Sequence, residues 1–417
     1  MRYHFSGIAG VGMNPLAQLM RSRGHAVQGS DRSFDQGKNL DVADRLTELG
    51  IVVKPQDGSA VSPNLDRFVY STAVEAETPE VRAARSYGIE RVPRPALLAE
   101  VVDAGRPGVA IAGTSGKSTI TGMVGWLTRE AGLAATVLGG AALGLIHNIS
   151  RDHGEVEALL PQFETFAKRC GRLLVNAASP EAAEVGRGVG ARTYGVDPGA
   201  DARLEVTSVG PHRASGVLHV PGGSLGLEVP QPGRHNLENA AAAALIALEL
   251  GFAPATVAAL LARFPGVARR FEVIAVTAGG IRVVDDYAHN GEKLRAAITT
   301  AQSGAARVLA VFQPHGFGPA RFLRPELREM MPRLLRPQDR LCYAEIFYAG
   351  GTVARDVSSR MLAEDLPAAM HCGYAPDHRA VVDWLRAQAR SEDTVLIMGA
   401  RDPELPALAR AAASALP

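Results

Sequence analysis

The chain has 417 residues, 47% of them hydrophobic and 21% charged, which is enough apolar material for several cores and excludes a disordered chain. Lys+Arg total 44 against 43 Asp+Glu, a net charge of +1, so charge gives no general reason to expect a nucleic acid or a membrane surface as partner. Cys170, Cys342 and Cys372 lie far apart with no CxxC pair, which argues against a disulfide framework or a cysteine zinc site. No secretion signal and no apolar run of ~18 residues is present, so a cytoplasmic protein without a membrane segment is expected. At roughly 100–200 residues per domain, this length implies two to four domains.

Short apolar runs alternate with helical patterns along most of the chain, as in α/β layers built on parallel strands. The first unit reads as a strand at Tyr3–Ser6, a helix over NPLAQLMRSRG, a strand at Ala26–Ser30, a helix near Val42–Leu49 and a strand at Phe68–Tyr70. Asp103–Gly108 reads as a linker. The second unit opens with a strand at Val109–Ala112, a glycine turn, and a helix from Lys117 to about Ala131. Between Arg203 and Pro232 apolar and polar residues alternate between Gly and Pro, the pattern of antiparallel strands at the edge of the middle unit or inserted into it. An alanine-rich helix spans Asn236–Leu250, and strands at Ile281–Asp285, Val308–Phe312, Leu341–Tyr343 and Val395–Met398 mark a third α/β unit.

The strongest chemical signal is Val109-Ala-Ile-Ala-Gly-Thr-Ser-Gly-Lys-Ser-Thr119, a buried-strand pattern followed by a turn and then GKST opening a helix. In that order the backbone N–H groups of the turn and helix start surround phosphate oxygens, and glycine permits the close approach. The chain has only five lysines against 39 arginines, which makes a lysine retained at this point informative. Gly113, Thr114, Ser115, Gly116, Lys117, Ser118 and Thr119 are therefore candidate ATP ligands, with Lys117 on the β/γ-phosphates and Ser118 on Mg²⁺. A second glycine turn, Gly7-Ile-Ala-Gly10-Val11-Gly12-Met13, follows the first strand, and Asp31 ends the second. Its order is GxxGxG rather than GxGxxG, equally consistent with a structural turn and with a second nucleotide site.

Taken in order, HFSGIAGVGM, Ser71-Thr-Ala, GTSGKST, Asn148-Ile-Ser-Arg-Asp-His153, Gly233-Arg-His-Asn-Leu-Glu-Asn239, Arg269-Arg-Phe-Glu272, Asp285-Asp-Tyr-Ala-His289, Phe312-Gln-Pro-His315 and Met398-Gly-Ala400 resemble the Mur ligases. Within that family they are most similar to the ligases acting on UDP-N-acetylmuramate. The resemblance implies three domains: a Rossmann-like UDP-binding domain (1–104), a central P-loop ATPase domain with a parallel sheet plus a small antiparallel sheet (105–270), and a C-terminal Rossmann-like domain (271–417). It implies that Gly7, Gly10, Val11, Gly12, Met13, Asp31, Ser71 and Thr72 hold the UDP-sugar, and that Ser118 and His153 hold Mg²⁺. It places His235, Asn236 and Asn239 on the adenine side, Arg270 near the ATP phosphates, and Asp286, Tyr287 and His289 between ATP and the amino acid, with Lys117, His153, Arg270 and His289 as the catalytic set. The implied reaction is ATP-dependent amide formation between an amino acid, with L-alanine preferred, and the lactyl carboxylate of UDP-N-acetylmuramate, through an acyl phosphate, in peptidoglycan precursor synthesis.

The sequence departs from that pattern in two places. Thr136–His147 runs straight into Asn148, where the family carries a further strand with an acidic Mg²⁺ ligand. On the amino-acid side, Asn290-Gly291 replaces His-Pro, Gly316 stands where an arginine is usual, and Gly-Ala-Arg401-Asp402 replaces Gly-Ala-Gly-Asp. Three other readings stay open on sequence: a ligase that recycles a tripeptide, a homologue that binds nucleotide without turnover, and a nicotinamide-dependent oxidoreductase built on the first glycine turn.

Overall fold

The computed structural model describes residues 1–10, 12–71, 77–103, 108–132, 143–150, 156–348 and 354–417. The chain forms three α/β sheets. The first contains β1 (Arg2–Ser6), β2 (Ala26–Ser30), β3 (Val52–Lys54), β4 (Arg67–Tyr70) and β5 (Glu90–Pro93), in the order β3-β2-β1-β4-β5. All its pairings are parallel. The order reverses beside β1, so the carboxyl ends of the central strands open on a crevice of the kind where α/β folds bind ligands. One side of the sheet is packed by Phe5, Ile8, Leu16, Ala17 and Leu46, each no more than 1% exposed.

The second sheet runs β12-β11-β10-β9-β8-β7-β6. Its strands are β6 (Val109–Ala112), β7 (Leu143–Ile146), β8 (Arg172–Asn176), β9 (Arg192–Gly195), β10 (Ala202–Val209), β11 (Ala214–Val220) and β12 (Gly223–Val229). Strands β7 to β10 are parallel, and β10, β11 and β12 are antiparallel. The antiparallel strands therefore continue the parallel sheet at its edge instead of standing apart from it. At the other edge lies β6, whose one strand neighbour among the described residues is β7.

The alanine-rich helix Arg234–Glu249 packs on the helix Lys117–Glu130. Ala240 to Ala244 are wholly buried, and such small side chains allow two backbones to approach closely.

The third sheet runs β13-β14-β18-β15-β16-β17. Its strands are β13 (Glu272–Val276), β14 (Arg282–Asp286), β15 (Val308–Gln313), β16 (Arg340–Ala344), β17 (Gly373–Ala375) and β18 (Thr394–Gly399). It is parallel except for β13. Helices cover both faces, so every residue of β15 and β18 is buried and the strands read as unbroken apolar runs. Local signals set several helix starts: Asn290 Oδ1 accepts from Lys293 N, Asp377 Oδ1 accepts from Ala380 N, and Pro79, Pro180 and Pro254 stand at first helical turns.

By internal contacts the chain divides into two compact units, the first holding residues up to Ala110 and the second carrying the rest of the P-loop region and the C-terminal sheet. No described helix is long and apolar enough to cross a membrane.

Candidate active site

In the first unit, the turn after β1 is fixed by its own backbone. Gly7, at φ 79°, and Ile8 both donate to the Ser30 carbonyl, at 2.8 and 3.0 Å. Asp31 closes the turn: one carboxylate oxygen accepts from Ala9 N at 2.9 Å, and the other accepts from Ser33 N and the Ser33 hydroxyl. Both oxygens of Asp31 thus shape the loop. Met13 opens the helix Met13–Ser22 with its side chain in the core. Ser71 lies just after β4 and is described, whereas Val11 and Thr72 fall outside the described residues.

Two residues that sequence reasoning passed over join this turn. The guanidinium of Arg94, from the start of the helix Arg94–Asp103, lies so close to Gly12 that a Cβ there would stand 2.9 Å from Nη1. Beneath the turn, the wholly buried Glu80 accepts from His4 Nε2 at 2.8 Å, from Ser6 Oγ at 2.5 Å, and from Ser30 Oγ. Burial alone would raise the Glu80 carboxyl, but the donors from His4, Ser30 and Ser6 outweigh it and hold the group below its usual range. Glu80 therefore ties the carboxyl ends of β1 and β2 to the helix Pro79–Ser86.

In the second unit the phosphate loop follows β6. Gly113 sits at φ 147° and Gly116 at φ 81°. A Cβ on Gly113 would meet the Asn148 backbone at 3.2 Å, and one on Gly116 would stand 2.6 Å from Asn239 Oδ1. Only glycine fits at these two points. Asn148 Oδ1 accepts from Thr114 N, Ser115 N and the Thr114 hydroxyl, at 2.9, 2.8 and 2.9 Å. Lys117 opens the helix and its ammonium donates to the Gly113 and Thr114 carbonyls, while Thr119 is buried. The loop, its lysine and the buried, unpartnered Asn239 Oδ1 fit a nucleotide triphosphate. Asn236 spends its amide on the Pro232 carbonyl at 2.8 Å, and His235 stands beside His147. His147 bonds to the buried Tyr194 hydroxyl at 2.6 Å, and burial, with His235 nearby, pushes its imidazole down to about 4.

The sequence from Arg269 to His289 brings the C-terminal sheet to the same loop. Arg269 and Phe271 hold left-handed backbones, at φ 60° and 51°. Arg270 Nη2 donates to Ser118 Oγ at 3.4 Å, and the guanidinium carbons of Arg269 and Arg270 lie 4.9 and 5.2 Å from the Tyr287 ring centre. Asp286 accepts from Phe271 N and Ala288 N, both at 2.7 Å, and burial pushes its carboxyl up to about 6. That carboxylate braces the loop with both oxygens. His289 Nδ1 lies 2.7 Å from the Tyr287 carbonyl, and its ring meets His315 edge-on at 5.4 Å. The structure thus brings Lys117, Ser118, Arg270, Tyr287 and Asn239 around one loop. His153 lies outside the described residues, and no cluster of three His, Cys, Asp or Glu able to hold a metal occurs among the described ones. At the loop itself the Ser118 hydroxyl, opening the helix beside Lys117, offers Mg²⁺ a hard oxygen donor.

Known proteins match this chain along its length. Residues 2–106 match the Mur ligase family catalytic domain, 141–247 the Mur ligase middle domain, and 269–401 the Mur ligase glutamate ligase domain. A UDP-N-acetylmuramate–L-alanine ligase of Kineococcus radiotolerans is 35% identical over 452 residues, covering 96% of this chain and 93% of its own. One from Halorhodospira halophila is 32% identical, covering 96% and 90%. Since 452 aligned positions take up only 96% of a 417-residue chain, tens of positions in the Kineococcus enzyme have no partner here. Among solved structures, the UDP-N-acetylmuramate–alanine ligase of Thermotoga maritima superposes with a TM-score of 0.78 at 21% identity, covering 99% of this chain and 98% of that one. With three matching domains in order and relatives above 30% identity over nearly all of both chains, the chain belongs to the Mur ligase family.

Proposed function

We propose that the protein is an ATP-dependent ligase that joins L-alanine to the lactyl carboxylate of UDP-N-acetylmuramate in the synthesis of peptidoglycan precursors. The observation that carries this reading is the near-complete alignment with ligases of that name, on a chain whose P-loop and Arg270–Tyr287 segment meet at one site. The substrate carboxylate takes the γ-phosphoryl group of ATP, and the amine of the amino acid then attacks the activated carbonyl and releases phosphate. Lys117 and Arg270 oppose the negative charge that spreads over the transferring oxygens, and fixed cations of this kind supply most of the rate in phosphoryl transfer. Bound beside Ser118 and His153, Mg²⁺ would neutralise charge on the phosphates. The turn from Gly7 to Gly12, with Asp31 and Ser71, is the place for the UDP moiety, and Arg94 adds a cation for its diphosphate. His289 and His315 face the amino-acid side. We retain 1–104, 105–270 and 271–417 as the working domain limits. Three free cysteines suit a reducing, cytoplasmic setting.

The test is phosphate release from ATP and Mg²⁺ with UDP-N-acetylmuramate, with and without each amino acid and the recycling tripeptide. Release should require both the sugar nucleotide and L-alanine, and should fall at least 1,000-fold in Lys117→Ala, by roughly the factor that loss of a transition-state cation costs. Release dependent on the tripeptide alone would move the acceptor assignment, and release without any acceptor would defeat the ligase reading.

A further inference from the structure

Ser118 offers Mg²⁺ a hydroxyl at the loop, and no three-residue metal cluster occurs among the described residues. Magnesium does not need an all-protein cage: it is commonly held by one or two carboxylates together with substrate phosphates and water. A single carboxylate near the loop therefore suffices, and the structure brings one there from the helix that follows β14. Ser150, two residues past Asn148, lies with its hydroxyl 2.7 Å from the Thr114 hydroxyl, and its N–H donates to the same oxygen at 3.1 Å. That serine donates in turn to Glu292 Oε2 at 3.0 Å. Glu292 is thus two hydrogen bonds from the phosphate loop although it lies 142 residues beyond Ser150 in the chain.

Glu292 belongs to the first turn of the helix Gly291–Ser303, where an acid is favoured simply by the helix dipole. That need is met by other groups. Asn290 caps the helix at Lys293 N, and the Glu326 carboxylate packs so tightly on Gly291 that a Cβ there would collide with it. Glu292 instead turns to Ser150. Among the described residues, Asp286 of the same C-terminal segment is committed to two backbone N–H groups.

We propose that Glu292 is the carboxylate ligand of the Mg²⁺ that accompanies ATP, so that the metal site is completed by the C-terminal domain instead of by a strand of the ATPase domain. The inference rests on the ATP-binding reading above. Its consequence is that metal binding and the approach of the C-terminal domain to the loop are one event.

Titration of the full chain with ATP in EDTA, with ATP and Mg²⁺, and with Mn²⁺ followed by its electron spin resonance in the presence of a non-hydrolysable ATP analogue, tests this. Glu292→Gln should leave metal-free ATP affinity within twofold of the unaltered chain and weaken Mn²⁺ binding at least tenfold. Ser150→Ala, which removes the hydrogen bond and keeps the carboxylate, should retain Mn²⁺ affinity within threefold. Equal Mn²⁺ affinity in Glu292→Gln and the unaltered chain would overturn the proposal, as would a loss found only in Asp152→Asn or Glu155→Gln. An unaltered chain that binds no ATP would defeat the nucleotide reading and this inference together, whereas ATP binding that ignores metal would defeat this inference alone.

Discussion

The molecule holds two glycine turns that each join a strand to a helix, and they are stabilised in opposite ways. The N-terminal turn is held by charge: Asp31 pins the Ala9 amide, the buried Glu80 ties Ser6, Ser30 and His4 together, and Arg94 stands over Gly12. The P-loop is braced from outside by neutral groups, with its own Lys117 closing it onto the Gly113 and Thr114 carbonyls: Asn148 gathers the Thr114 and Ser115 amides, and Asn239 and His147 crowd Gly116. A charged, buried brace fixes one geometry, because removing any partner strands a charge in low dielectric. A neutral brace leaves the loop's field to Lys117, to Arg270 from the C-terminal segment, and to the ligand. The first turn is thus preorganised by its own unit, while the P-loop also takes a cation, Arg270, from 152 positions beyond Ser118.

The strongest way to break this contrast is Glu80→Ala. It leaves His4 and two serines without their acceptor, and should destabilise the N-terminal unit by about 3–5 kcal/mol, read by urea unfolding with hydrogen exchange assigned to that unit. Because the folded-state carboxyl is lowered below its ordinary value, the stability it contributes is present above the unfolded value and is lost as pH falls through the depressed one. A loss below 1 kcal/mol would mean the buried network does not brace the turn.

His147 gives the P-loop unit a different pH window. Its folded value of about 4 lies below the ordinary imidazole value of 6.5, so between those pH values the unfolded chain takes up a proton that the folded chain refuses. Stability of that unit should fall by about 3 kcal/mol as pH drops from 6.5 to 4, and the slope should flatten in His147→Gln. An unchanged slope would place the acid sensitivity elsewhere.

The smallest effect expected is on ligand affinity. Arg94→Ala should weaken UDP-N-acetylmuramate roughly 10- to 30-fold in a calorimetric titration, the scale of one charge-assisted contact, and leave ATP affinity unchanged. Equal sugar-nucleotide affinity would show that the backbone turn suffices without the cation.

Much of this was legible locally. GTSGKST announced itself because strand, turn and helix start are contiguous, and the structure opens the helix at Lys117 as expected. Strands β1, β2, β4, β14, β15, β16 and β18 read correctly, since buried strands of a parallel sheet leave apolar runs, whereas β5 did not. Short edge strands such as β3 and β17, with three residues each, carry too little pattern to read. Glu80, in Thr-Pro-Glu, gave no signal, and its partner His4 lies 76 residues away. Arg94 gave no signal either, because its meaning lies in its packing against Gly12. Asp286 was read as lining the site, and its carboxylate proves to brace the backbone, a role that only the fold of the Arg269–Phe271 loop reveals.

If ATP activates the carboxylate of the sugar nucleotide, oxygen tracing shows it directly. UDP-N-acetylmuramate labelled with ¹⁸O in its lactyl carboxylate is incubated with ATP, Mg²⁺ and L-alanine, and the released phosphate is weighed by mass spectrometry. The account predicts one ¹⁸O in each phosphate and a matching amount of UDP-N-acetylmuramoyl-L-alanine. Unlabelled phosphate, or labelled phosphate without the amide product, would contradict it.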